Sequence, residues 1–184
     1  QGLLERVVSK KAQVKSAFAD GLPLVKADAT QLRQIVMNLI TNASDALGED
    51  AGEITISTGV MFADREYLLH TVLGDSLREG EFVFIEVADN GCGMDLPTQE
   101  RIFDPFFTTK LKGRGLGLAA VLGLVRRHNA GLHLRSSPGE GTEFRLLLPP
   151  FRSREAIDSM KAHYDAQFKG DGTVLVIDDE STVR

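Results

Sequence analysis

Apolar positions along the chain follow two different periods. Between residues 28 and 47, Leu32, Ile35, Val36, Leu39, Ile40, Ala43 and Leu47 recur every three or four positions, which lines them up as one stripe of a helix. Asp28 is suited to cap its start, with Gln31 three positions on to bond back, and Gly48 supplies a stop. Alternating or β-branched runs at 54–58, 82–88, 132–136 and 142–148 predict strands, the last two joined by the turn Ser137-Pro138-Gly139-Glu140-Gly141. Residues 24–27 form a further short strand candidate. Residues 3–18 read as an amphipathic helix with Leu3, Leu4, Val7, Val8 and Val14 leaning to one side, broken by Gly21-Leu22-Pro23. A short helix is expected near 96–102, and a long one over 116–128, apolar and buried on most faces. Residues 61–80 keep neither period and read as an irregular insertion with one helical turn around 67–73.

Composition narrows the class. The chain has 184 residues, 21 Lys and Arg against 26 Asp and Glu, a net charge of −5, and one cysteine. That length suits one well-cored domain with extra segments, or at most two small domains. A dedicated nucleic-acid binder would be basic, so no nucleic-acid partner is expected. A lone cysteine forms no internal disulfide and points to a reducing, cytoplasmic setting. The longest low-polarity run, 115–125, is far short of the ~20 residues that cross a bilayer, so no direct membrane contact is expected. The opening Gln1-Gly2-Leu3-Leu4-Glu5-Arg6 turns charged at once, unlike a signal peptide, and Gln1 suggests a piece of a longer protein. Composition shifts again at Pro149-Pro150, where a polar stretch over 151–171 reads as a linker helix, and at 173–177, an apolar strand of the buried parallel kind.

Three local patterns carry chemistry. Asn38 and Asn42 stand four apart, so both amides point the same way from successive turns of the helix. Asparagine is a poor helix residue, and oxygen ligands of this kind suit Mg²⁺ when phosphates supply its remaining ligands; a solvated polar flank is the plainer alternative. Asp89-Asn90-Gly91-Cys92-Gly93-Met94 follows a strand. Its glycines allow close approach to a flat ligand, and an aspartate at a strand end accepts from an exocyclic amine, though a plain turn would look the same. Cys92 reads as a small filler, since no base stands near it in sequence. Lys110-Leu111-Lys112-Gly113-Arg114-Gly115-Leu116-Gly117-Leu118 opens a helix with backbone N–H groups and three cations, a phosphate site by its chemistry. It contains no Walker A loop. The loose match of Gly115 and Gly117 to a dinucleotide fingerprint fails, because neither a preceding strand nor a downstream ribose-binding acid is present.

Asn38/Asn42, Asp89-x-Gly91-x-Gly93, Phe103-Asp104-Pro105-Phe106-Phe107, Gly113-x-Gly115-x-Gly117 and Gly139-x-Gly141-Thr142, in that order, resemble the catalytic ATP-binding domain of two-component sensor histidine kinases, within the GHKL ATPases. The resemblance covers about residues 22–149. It implies an α+β Bergerat fold: a two-layer sandwich, a mixed sheet with helices on one face and a mobile ATP lid. It implies ATP and Mg²⁺ as cofactors. Asn42 would hold the metal, with Asn38 beside it as the catalytic amide. Asp89 would accept from the adenine amino group, supported by Thr142 through water, and Gly91, Gly93 and Met94 would shape the adenine pocket. The lid would begin at Phe103 and run to Lys110, with Gly113, Arg114, Gly115, Leu116, Gly117 and Leu118 around the phosphates. Residues 104–114 are expected to order when nucleotide binds.

Two departures from the family stand out. Many sensor kinases carry a basic residue three positions after the second asparagine, where this chain has Asp45, so Lys110 or Arg114 is left to meet the phosphates. His128-Asn129-Ala130-Gly131 stands where His-Gly-Gly is usual. At the other end, residues 173–184 resemble the first strand and acidic pair (Asp178, Asp179) of a response-regulator receiver domain, which implies a hybrid kinase. The implied organisation is a helix or linker from a preceding dimerisation region at 1–21, the ATP-binding domain at 22–149, a linker at 150–171 and a truncated receiver at 172–184. The implied partners are the histidine-bearing dimerisation domain of a homodimeric parent and a receiver in cis or trans. His70, His128, His133 and His163 lack the acidic follower of a phosphoacceptor and read as surface or packing residues. Two other functions compete: a hydrolytic GHKL ATPase, which would need a glutamate base where Asn38 stands, and a non-catalytic nucleotide-binding module.

Overall fold

The computed structural model describes residues 12–48, 51–110 and 113–151. Six strands form one mixed sheet: β1 (Ala12–Phe18), β2 (Gly52–Ala63), β3 (Thr71–Val72), β4 (Gly80–Asp89), β5 (Gly131–Ser137) and β6 (Gly141–Leu148). Their order across the sheet is β1-β2-β4-β6-β5-β3. Only β1 and β2 run parallel, and the other neighbours are antiparallel. The helices are α1 (Ala29–Leu47), α2 (Arg65–Leu69), α3 (Leu96–Arg101) and α4 (Gly117–Arg127). The α+β class and the mixed sheet are those that the resemblance implies, with α1 and α4 packed on one face.

The stripe on α1 is buried as its period predicts. Leu32, Ile35, Leu39, Ile40, Ala43 and Leu47 lie in the main core, with Val36 partly buried against it. They pack on Ile54, Ile56, Val83, Val87, Phe144, Leu146 and Leu148 from one face of the sheet, and on Val121 and Val125 of α4. Burying such aliphatic side chains is worth roughly 1.5–3 kcal/mol each, so this layer dominates the stability of the domain. The cap is built with one change. Asp28 accepts from the N–H groups of Thr30 and Gln31, but the Gln31 amide bonds the Asp28 carboxylate, not its backbone. The Asp28 N–H instead donates to Nε2 of His128 at 3.1 Å, while the other ring nitrogen of His128 meets the Leu124 carbonyl. The end of α4 therefore caps the start of α1.

Four expectations need correction. Residues 12–18 are not helical: they form β1, paired in register with β2 from Ala12 opposite Gly52 to Phe18 opposite Thr58. The free edge of β2 offers a row of backbone partners, which outweighs a weak local helix pattern. The remainder of that expected helix, residues 3–11, lies outside the described residues, as do the expected linker and receiver segments over 152–184. Residues 24–27 make only a single bridge, Val25 to Pro150. Helix α4 is amphipathic, with Val121 and Val125 its buried residues and Leu118 and Leu124 partly covered.

The insertion is ordered as well. β2 continues to Ala63, α2 follows, and β3 adds to the far edge of the sheet beside β5. Ala63, Leu68, Leu77, Phe82 and Leu147 form a second, smaller core there. Phe82 and Leu147 alternate with residues of the main core, so α2 and its loop cover the opposite face of the sheet. On that face Arg145 pairs with Glu86 and Glu143 and lies over the Phe84 ring. His133 stacks on Tyr67 with ring centroids 4.5 Å apart, and its Nδ1 is buried without a partner.

Burial, then the Arg145 charge, holds the His133 imidazole below its ordinary pKa. The native state thus binds fewer protons than the unfolded chain just below about pH 6.5, and stability falls as pH drops through that window. Denaturant titrations between pH 7.5 and 5.5 should show this loss. His133→Phe, which keeps the stack on Tyr67, should flatten the slope; an unchanged slope would assign it to other groups.

Candidate nucleotide site

Beyond its buried stripe, α1 turns Asn38, Thr41, Asn42 and Asp45 toward a cleft of about 510 Å³. The floor and far wall come from the ends of β4 and β6. These strands pair antiparallel up to Asp89 opposite Thr142, which sets an acidic and a hydroxyl side chain next to each other on the same face. The Asp89 carboxylate accepts from the Gly91 N–H at 2.9 Å. Burial pushes this carboxyl above the ordinary carboxylate value, and the N–H groups of Gly91 and Thr142 offset only part of that rise. A partly desolvated acid with spare acceptor capacity suits a ligand that donates a hydrogen bond.

Two glycines hold this wall together. Gly93 has φ +64° and a Cβ there would collide with the Ser137 carbonyl; Gly141 has φ +90° and a Cβ would collide with the Asp89 carbonyl. The β5–β6 turn thus rests directly on the 89–94 loop, and the Gly139 N–H donates to the Cys92 carbonyl at 2.8 Å. Ser136, which carries no motif in the sequence, is the hub. Its hydroxyl meets the Met94 N–H, the Gly141 carbonyl and the Thr142 hydroxyl at 2.9–3.0 Å. Its partners lie up to 42 residues away, so no local pattern exposes its role. Gln99 on α3 adds two amide bonds, to the carbonyls of Met94 and Ser136.

The third wall is the stretch leading into α4. The Phe106 N–H donates to the Gly115 carbonyl at 2.8 Å, closing the base of the loop between them. A Cβ on Gly117, the first residue of α4, would lie 3.9 Å from Asn38 Oδ1, so the N-terminus of α4 faces the amides of α1. Lys110 reaches back across the cleft: its ammonium donates to Asn42 Oδ1 at 2.8 Å and Asp45 Oδ2 at 2.7 Å. Asn42 Nδ2 is buried and unpartnered, and Arg114 is exposed at the rim.

Of the residues singled out in the sequence, Asn38, Asn42, Asp89, Gly93, Met94, Lys110, Gly113, Arg114, Gly115, Leu116, Gly117, Leu118 and Thr142 all line the cleft. Gly91 and Phe103 do not. Gly91 packs on the backbone of Ala46 at the end of α1, and Phe103 joins the main core. Phe107 borders the cleft beneath the Arg101 guanidinium, and Phe106 is exposed with φ +69°. Cys92 is exposed in the cleft and is no filler. The histidines of the described residues serve packing and capping: His128 and His133 as above, and His70 on the Glu66 carbonyl. The described residues contain no cluster of three or more His, Cys, Asp and Glu side chains and no helix long and apolar enough to cross a membrane.

Residues 27–152 match the family described as histidine kinase-, DNA gyrase B-, and HSP90-like ATPase. The chain belongs to that family. Among curated relatives, Sensor kinase CckA of Brucella abortus (strain 2308) is 36% identical over 191 residues, covering 99% of this chain and 20% of the relative. The signal transduction histidine-protein kinase AtoS of Escherichia coli (strain K12) is 34% identical over 142 residues, 77% of this chain and 20% of the relative. The chain thus spans 20% of the length of each of these kinases. Of solved structures, full-length ShkA in complex with AMPPNP superposes with a TM-score of 0.61 at 28% identity, over 83% of this chain and 30% of that one. The nucleotide-free catalytic domain of histidine kinase ThkA gives 0.58 at 26% identity, over 80% and 82%. The cleft of this ATPase-family domain therefore lies in a fold shared with sensor kinases.

Cys92 gives a direct probe of occupancy, because it is the single thiol of the chain and opens into the cleft. Its alkylation by a maleimide should slow several-fold when ATP is added. An unchanged rate at saturating nucleotide would put the ligand elsewhere.

Proposed function

We propose that this chain is the ATP-binding catalytic domain of a sensor histidine kinase. In this reading it binds Mg-ATP and donates the γ-phosphoryl group to a histidine on a separate dimerisation domain of a homodimeric parent. The observation that carries the reading is the convergence of Asn38 and Asn42, Asp89 with Thr142, and the 113–118 stretch on one cleft. Asp89 accepts from the adenine amino group, with Gly93, Met94 and Thr142 around the ring. Gly113 to Leu118 and the N-terminus of α4 meet the phosphates with backbone N–H groups, aided by Lys110 and Arg114.

The donor set of this cleft fits Mg²⁺. Asn42 offers a hard amide oxygen that already holds a cationic group, the Lys110 ammonium. When bound, the metal would neutralise charge on the phosphates. The chain's own contribution is to fix the nucleotide so that the γ-phosphorus faces the acceptor imidazole. There the bond to the bridging oxygen breaks as the bond to nitrogen forms, and ADP leaves. Asn38 supports transfer over hydrolysis, since an amide takes no proton from water. The parent is read as a hybrid kinase whose catalytic domain is cytoplasmic, with 172–184 opening its receiver and 150–171 the linker to it.

Replacing Asp89 by Asn removes a charged acceptor, a loss of ~1.5–3 kcal/mol, or about ten- to a hundredfold in ATP affinity by calorimetry. A bound amine lowers the carboxyl pKa that burial had raised. Wild-type affinity should therefore fall as pH drops through the raised apo value, and Asp89→Asn should lose that dependence. Equal affinities would remove Asp89 from the adenine role.

Incubated with γ-labelled ATP, the chain alone should retain no acid-labile label and release phosphate barely above background. Adding the parent's histidine-bearing hairpin should restore labelling, on the hairpin. Rapid phosphate release by the chain alone would favour the hydrolytic reading.

A further inference from the structure

Asp45 stands where a basic residue would help to hold phosphates, so an uncompensated carboxylate faces the end of the cleft where, in the nucleotide reading, negative charge must arrive. Unless a cation neutralises it, this half-exposed carboxylate repels an arriving phosphate. In this structure the cation is Lys110. Its ammonium sits between Asn42 Oδ1 and Asp45 Oδ2, at 2.8 and 2.7 Å, and all three residues line the cleft. The two side chains of the ion pair are 39% and 49% exposed, a setting in which a pair adds little to stability. The arrangement is notable because an amide oxygen and a carboxylate oxygen, three residues apart on a rigid helix, converge on one point. The orientation of the Asn42 amide agrees with this: its oxygen meets the cation, while its Nδ2 is buried without an acceptor.

We propose that Asn42 Oδ1 and Asp45 Oδ2 together form a cation seat, filled by the Lys110 ammonium in the free chain and by Mg²⁺ when nucleotide binds. The inference rests on the reading of the cleft as a Mg-nucleotide site and adds Asp45 to the groups that hold the metal. Mg²⁺ is served by one or two protein oxygens when phosphates and waters complete its shell, and these two oxygens meet that need. An ammonium and a divalent ion cannot share one seat, so metal entry displaces Lys110. The freed lysine is then available to the phosphates that arrive with the metal. The exchange also accounts for an acid at position 45: it anchors the lysine when the cleft is empty and adds a charged ligand when it is full.

The alternative is a simple clasp, in which Asp45 only tethers the loop through Lys110. Calorimetry of the full chain with AMPPNP, in Mg²⁺ and in EDTA, separates the two. The quantity read is the ratio of the two dissociation constants, the gain in affinity supplied by Mg²⁺. A seat requires opposite changes in this ratio. Asp45→Asn should lower it about tenfold or more without weakening binding in EDTA, because a ligand of the metal is lost and a charge facing the phosphates is removed. Lys110→Gln should weaken binding in EDTA and raise the ratio, because Mg²⁺ no longer competes with the ammonium. Adenosine, which carries no phosphate, should bind the wild type and both variants alike and so report an intact adenine pocket. An unchanged ratio in Asp45→Asn, the clasp result, would overturn the seat, and so would a fall of equal size in both variants. Failure of the wild type to bind AMPPNP at all would instead overturn the nucleotide reading, and the seat with it.

Discussion

The antiparallel pairing of β4 with β6 is the constraint on which the site depends. It brings Asp89 opposite Thr142 at the last rung of the ladder, so the acid emerges where the sheet ends and the cleft begins. Past that rung the two strands can stay together only if the chain folds tightly back, and the left-handed conformations of Gly93 and Gly141 allow it. The β5–β6 turn then seals against the 89–94 loop, with the Ser136 hydroxyl joining the Met94 N–H to the Gly141 carbonyl and the Thr142 hydroxyl. Excluding water from that corner is what raises the Asp89 pKa. The same geometry that closes the fold thereby prepares an acceptor in want of a donor.

Helix α1 answers a second constraint, that one element must serve both core and cleft. Its apolar stripe fixes its rotation against β2, β4 and β6, and that rotation leaves only the flank bearing Asn38, Asn42 and Asp45 to face the opening. Asparagine weakens a helix interior. Here that loss is offset by the aliphatic burial on the other side and by caps at both ends, including one supplied from α4 by His128. Charge is managed locally: a chain of net charge −5 places Lys110 and Arg114 along the cleft and ties Lys110 to Asp45.

On the far face of the sheet, the segment between β2 and β4 supplies its own small core and an ion-paired row centred on Arg145. This makes the sheet two-sided at that end. His133, half-buried against Tyr67, belongs to this packing.

Much of this was legible in the sequence because it is encoded by period and spacing. The α1 stripe, its Asp28 cap, the four main strands and the 137–141 turn follow from side-chain alternation and turn chemistry, which act over a few residues. The glycine-rich segments and the paired asparagines carried the site by their order along the chain. Tertiary structure decided what depends on distant partners. Residues 12–18 became a strand because β2 offered an edge, and the 61–80 insertion acquired order because Leu68 and Leu77 found Phe82 and Leu147. Gly91 and Phe103 were drawn into packing, while Cys92 was left exposed in the cleft. Ser136, His128 and the meeting of Lys110 with Asp45 join residues from 42 to 100 positions apart. No local period encodes such meetings; only the packing of the sheet and helices brings them within hydrogen-bonding reach.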